Sequence, residues 1–191
     1  SSAPPLSKTH IAKMISAKLV KLFILATQVT FAVGHWGWGH GGMRGWKGEM
    51  MEVIHNLLDH REAIERYVND TNVGIESYTY SDDSDVASWI QTHVEQMTTL
   101  MDSERGGIRM WDDIFDKMFA LRDSHEMEVT NTNEGPHGGV RVVHKVADDV
   151  EPDKAECTKA TIQKHAQVVS KFVDRGRKEM HANHPVPNEC A

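Results

Sequence analysis

The feature that most constrains this chain is an internal repeat, because a tandem unit dictates architecture before any single motif does. Leu57-Leu58 and Arg61-Glu62 align with Met118-Phe119 and Arg122-Asp123 at an offset of 61. The same offset pairs Val68 with Val129 and Thr71-Asn72-Val73-Gly74 with Thr132-Asn133-Glu134-Gly135. Further on, Ile90-Gln91, His93, Leu100 and Asp102 align with Ile162-Gln163, His165, Phe172 and Asp174 at an offset of 72. The offset changes only near residues 136–138 and 151–152, where the second copy carries extra turn residues. Insertions confined to loops are what a duplicated unit shows. The copies are set at residues 49–104 and 108–180.

Each copy reads helix–hairpin–helix. Val53, Ile54, Leu57 and Leu58 recur at helical spacing over residues 50–60. Residues 63–69 and 75–81 read as strands joined by the turn residues 70–74. Residues 81–85 offer a cap and first-turn acids for a second helix to about Met101, with Val86, Ile90, Val94, Met97 and Met101 along one face. In the second copy the same order runs over 112–122, 126–131, 140–146 and 153–178, with Pro152 near the start of the long helix. A lone hairpin is marginal in water, so the two are expected to join into a four-stranded antiparallel sheet. Four helices would cover one face, an α+β domain with an approximate two-fold axis.

Ahead of the repeats, Lys18 and Lys21 precede a mostly apolar run from Leu22 to Val33. A bilayer span needs about 20 apolar residues, so this run is short for an anchor. A basic start, a short apolar centre and small residues at Thr30 and Ala32 predict a secretory signal over 1–32, with Met14 as an alternative start. The expected location is periplasmic or secreted, without stable membrane insertion after cleavage. A Gly/His/Trp tract over 33–48 is expected to be flexible, and the prolines at 185 and 187 predict an extended tail over 181–191.

Residues 1–32 hold four of the 21 basic residues and none of the 28 acidic ones, so cleavage leaves a net charge of −11. That sign repels phosphate backbones, and no nucleic-acid partner is expected; a protein partner or a homodimer stays open. The two cysteines, Cys157 and Cys190, form no CxxC or CxxCH arrangement, which excludes covalent haem attachment and a thioredoxin-type site. They are either a disulfide or two thiols. No GxSxG elbow, HExxH helix or phosphate-binding glycine loop is present, so catalysis finds little support.

Histidines are the chemistry-bearing residues that remain. His93 falls in line with Val86, Ile90 and Met97, and His165 lies between Ile162 and Val169 on the equivalent face. His60 shares a face with Val53, Leu57 and Ile64. A neutral imidazole ligates zinc, copper or iron without burying a charge. His93 and His165 would suit bis-histidine ligation of a non-covalent haem, and His60, His93 and Met97 a softer, copper-preferring set. A start at Val33 would place His35 third, an amine–amide–imidazole set for Cu(II) or Ni(II), with His40 close by. The competing expectation is a structural or protein-interaction module whose histidines belong to the core. His181 and His184 have HxxH spacing, but a proline follows at once, and a solvated pair is the simpler expectation.

The runs VIHNLLDHREAIERYV, SDDSDVASWIQTHVEQM, IRMWDDIF and IQKHAQVVSKFVDRG…NHPVP resemble an uncharacterised family of exported bacterial proteins, over roughly residues 50–187. The resemblance implies export and duplication and supplies no chemistry. The position resembling that family's first-helix histidine is His60 in copy one and Leu121 in copy two, so the copies would contribute unequally to any site.

Overall fold

The computed structural model describes residues 44–103 and 107–190. The expected signal, most of the Gly/His/Trp tract, and with it His35 and His40, lie outside the described residues. From Arg44 the chain forms α1 (Arg44–Asp59), a 3-10 turn (Arg61–Ala63), β1 (Ile64–Thr71), β2 (Gly74–Ser81) and α2 (Ser84–Asp102). The order then recurs as α3 (Asp113–Ala120), a 3-10 turn (Arg122–Ser124), β3 (His125–Thr132), β4 (Gly139–Val146) and α4 (Pro152–Arg175). A 3-10 stretch (Gly176–His181) leads into the tail. The expected α+β class holds, while α1 begins at Arg44 and so takes in residues assigned to the flexible tract.

The four strands make one antiparallel sheet in the order β1-β2-β4-β3. Alternation sets its two faces. Ile64 and Val68, Ile75 and Ser77, Val129, Val140 and Val142 point to the helices, while Glu65, Tyr67, Glu126 and Glu128 point away and are exposed. The long helices α2 and α4 both lie on the inward face, α2 backed by α1 and α4 backed by α3. They build two apolar clusters. Val86, Ile90 and Val140 gather Leu57, Trp89 and Val129 under α2. Ile75, Met118, Ile162 and Ala166 gather Val68 and Val146 under α4. A fully buried side chain such as Ile162 contributes roughly 1.5–3 kcal/mol.

Local chemistry sets the helix ends. The Asp83 carboxylate caps α2, accepting from the backbone N–H of Asp85 (2.9 Å) and Val86 (3.1 Å), an arrangement worth about 1 kcal/mol. Pro152 opens α4, where its missing N–H costs no bond. The helix stops at Gly176, whose φ of +59° favours glycine. Beside that end, the Arg61 guanidinium donates to the carbonyls of Val173 (3.2 Å) and Asp174 (2.9 Å). Among the described residues no helix is long and apolar enough to cross a membrane.

Candidate functional site

Two groups of polar side chains are built into the domain. One is a seam between the two apolar clusters. From the sheet it receives Arg66 (β1), His125 (β3) and His144 (β4); from the helices it receives His93 (α2) and His165 (α4). Each is a consequence of period. Arg66 alternates with Ile64 and Val68, and His144 alternates with Val142 and Val146, so both must face the core.

His144 is buried, and its Nε2 lies 3.0 Å from Nδ1 of His125, whose own Nε2 lies 3.4 Å from the carbonyl of Met118. A carbonyl only accepts, so His125 donates from Nε2 and receives the His144 proton at Nδ1. Both rings are neutral in this relay. Burial pushes His144 down to about 3, helped by repulsion from His125 and His165, and burial likewise lowers His125. His93 is pushed down to about 4 by burial alone. His165 is held at about 4 by burial first, then by the nearby charge of Arg66 and by His125 and His93. The four imidazoles and one guanidinium thus occupy a single electrostatic neighbourhood.

His93 and His165 keep part of their surface accessible although protein surrounds both rings. It is the enclosure that sets the cost of charging them. Polar atoms here go unpaired: Nδ1 of His93, Oε1 of Gln96 one turn further along α2, and Nε of Arg66 are all buried without a hydrogen-bond partner. The edge of His165 meets the ring of Phe115, centroids 5.0 Å apart.

The second group ties the tail down. His184 is buried; its Nδ1 lies 2.8 Å from Oδ2 of Asp112 and its Nε2 lies 2.9 Å from Oε1 of Glu179. Each ring nitrogen thus faces a carboxylate oxygen, an acceptor. Arg109 donates to Asp112 (2.6 Å) and to the carbonyls of Met180 and Ala182, and Arg175 donates to Glu179 (3.2 Å). Burial would raise the Asp112 carboxyl, but hydrogen bonds from Arg109 and His184 outweigh it and hold it low. Glu179 is held low chiefly by His184. The Arg109 guanidinium sits 4.5 Å from the Trp111 ring centroid and 5.2 Å from that of Phe115. Its backbone φ of +56° costs on the order of 1–3 kcal/mol, which these contacts offset. A disulfide between Cys157 and Cys190 closes the tail onto α4, a loop worth roughly 3–4 kcal/mol on the chain-entropy model.

The sequence-derived candidates therefore separate. His93 and His165 enter the seam together, with Met97 one turn beyond His93 and partly buried. His60 stands exposed at the end of α1, bonded to the Asn56 carbonyl (2.9 Å) and packed on Trp89 (5.1 Å). Its contacts do not bring it to His93. His184, expected in solvent, is buried, because a proline-stiffened tail docks on α3 instead of trailing: the Ile114 N–H donates to the His184 carbonyl (3.0 Å). His181 is exposed. Sequence reasoning passed over Arg66, His125 and His144; the alternation of His144 with Val140, Val142 and Val146 was the signal that carried it. Among the described residues, no group of three or more His, Cys, Asp or Glu is gathered as a ligand set. Compared with protein-family models, with curated proteins and with solved structures, the chain matches none.

Proposed function

We propose that this chain is an exported protein that binds a transition metal ion or a non-covalent haem through the histidines of the seam, His93 and His165 first. The observation that carries this is the enclosure of several neutral imidazoles in one neighbourhood, one of them with an unpaired buried nitrogen. Neutral imidazole is the ligating form, and burial holds these rings neutral at pH 7. Two protein ligands, as in bis-histidine haem, ask least of the surrounding side chains; copper or zinc with water completing the sphere is the other form.

Duplication belongs to the same proposal, and the strand register supports it. Arg66 faces Thr79 as the third residue of β1, and Met127 faces His144 as the third residue of β3. Gly74 and Gly139 each open the second strand of a hairpin, an equivalence that replaces the Gly74–Gly135 match of the sequence alignment, and a Cβ on either would collide with the neighbouring strand, at the His144 carbonyl and at Tyr80 and the Thr79 carbonyl respectively. Under this equivalence His93 and His165 lie near a common axis, and the extra residues of the second copy fall in the turn between β3 and β4. The disulfide fits an oxidising compartment and so supports export. The alternative is a structural or protein-interaction module, favoured by the absence of a gathered three-ligand set among the described residues.

The test is metal analysis and a visible spectrum of untagged protein, with thermal unfolding in copper, zinc and haemin. Binding is expected to raise Tm and to be lost in His93→Ala/His165→Ala. A colourless, metal-free protein whose Tm ignores all three would leave the interaction module standing.

A further inference from the structure

Arg66 is the one seam residue that histidine ligation does not use, and its position is unusual. It sits on the inward face of an edge strand between Ile64 and Val68. One terminal nitrogen donates to the Thr79 hydroxyl (2.7 Å), while Nε is buried with no partner. Among the described residues no carboxylate pairs with it, and burial alone pulls its affinity for the proton down, to a pKa of about 10. A guanidinium keeps its charge at that value. An enclosed, uncompensated cation is costly, and it is retained where an anion completes it.

The neighbours point the same way. His165 lies close enough to Arg66 for the two charges to repel, and His93 holds an unpaired buried nitrogen. The acid that acts on His165, Asp112, is already bonded to Arg109 and His184. The fold itself does not demand a cation here, because the third residue of β3 is Met127, an apolar chain of comparable length. Arg66 is half-buried as a residue and stands on the edge strand of the sheet, the side on which its strand has no neighbour.

We propose that the polar seam at Arg66 is a binding site for a small oxyanion group, a carboxylate or a phosphate, gripped by the guanidinium with the Thr79 hydroxyl beside it and His93 and His165 as further donors. This does not rest on metal ligation. It adds a selection rule to it: the fixed positive charge of Arg66 works against a bare divalent cation and favours a ligand that brings its own anionic groups, as a haem does with its carboxylates.

The experiment uses the full, disulfide-bonded chain, stripped of metal and dialysed. Thermal unfolding and calorimetry are followed in acetate, succinate and inorganic phosphate at constant ionic strength, with chloride as the control, for wild type, Arg66→Met and Arg66→Lys. Wild type is expected to show a saturable rise in Tm that chloride does not give, with binding at least tenfold weaker in R66M and intermediate in R66K. R66M without anion is expected to melt at or above the wild-type temperature, since an uncompensated charge has become the residue β3 carries. A response to phosphate alone assigns a phosphoryl ligand, and a response to the carboxylates alone a carboxylate. Three results overturn the proposal: no saturable response in wild type, equal titration of all three proteins, or an R66M chain that melts lower or fails to fold. Because the protein is metal-free throughout, failure here leaves the metal and haem tests untouched, and their failure leaves this one.

Discussion

The two buried polar groups share the ring of Phe115, which packs edge-to-face with His165 and lies under the Arg109 guanidinium, yet they are opposite in kind. Around His184 donors meet acceptors: two carboxylates accept from two arginines and an imidazole, leaving Arg109 Nε as the buried atom without a partner. Along the seam the ionisable groups are four imidazoles and a guanidinium, and Arg66, His93 and the neutral amide of Gln96 each keep an unpaired buried atom. A matched network holds one arrangement and has no vacancy in its bonding. An unmatched one costs stability in the free protein and recovers it when a ligand supplies the missing partners. The difference separates a network that fastens the tail from an enclosure whose buried polar atoms have no partner within the protein.

The comparison breaks most severely at Asp112. Asp112→Ala strands His184 and Arg109 inside the protein, and a loss of about 3–5 kcal/mol is expected in urea unfolding at pH 7. A loss under about 1 kcal/mol would mean that the knot around His184 is not what holds the tail.

Acid titration sharpens the same contrast. His93, His144 and His165 have folded values near 4, 3 and 4, below their ordinary 6.5. The unfolded chain therefore binds protons that the folded chain refuses. Their contribution is complete above about pH 6.5 and is lost as pH falls towards 4, at up to about 1.4 kcal/mol per pH unit for each ring. Asp112 and Glu179 are lowered acids, and their contribution is present above their ordinary 3.8 and 4.5 and lost as pH falls further. Stability is thus expected to decline in two windows, the seam first and the knot after it. In His144→Leu the slope between pH 6.5 and 5 should shrink by as much as one proton, and an unchanged slope would remove His144 from the enclosed set.

The smallest effect is expected at His60. His60→Ala removes an exposed ring and should change stability by less than about 0.5 kcal/mol. It should also leave metal or haemin binding as in wild type, measured by the same titration. A loss of binding would bring the His60, His93 and Met97 set back into consideration.

Much of this was legible in the chain. The periodicity of Val86, Ile90, His93 and Met97 placed His93 inward, and the order of helical and alternating segments specified a hairpin sheet under helices. His144 was equally legible, since it shares a strand phase with Val140, Val142 and Val146. Arg66 shares the phase of Ile64 and Val68, but a charged residue type by itself points to solvent. His184 could not be read at all. Nothing within HANHPVP says that this tail returns to Asp112, 72 residues earlier.

By itself, then, the sequence determined the elements, their order, which face of each is apolar, and the two cysteines available for a bridge, since all of these follow from local period and residue type. Tertiary structure alone decided that four imidazoles and a guanidinium share one neighbourhood, that His184 is clamped between carboxylates, and that His60 stays outside. Those outcomes depend on which faces meet across distant parts of the chain. The loss of water around each group, and the presence or absence of a partner in its place, exist only once the elements are packed.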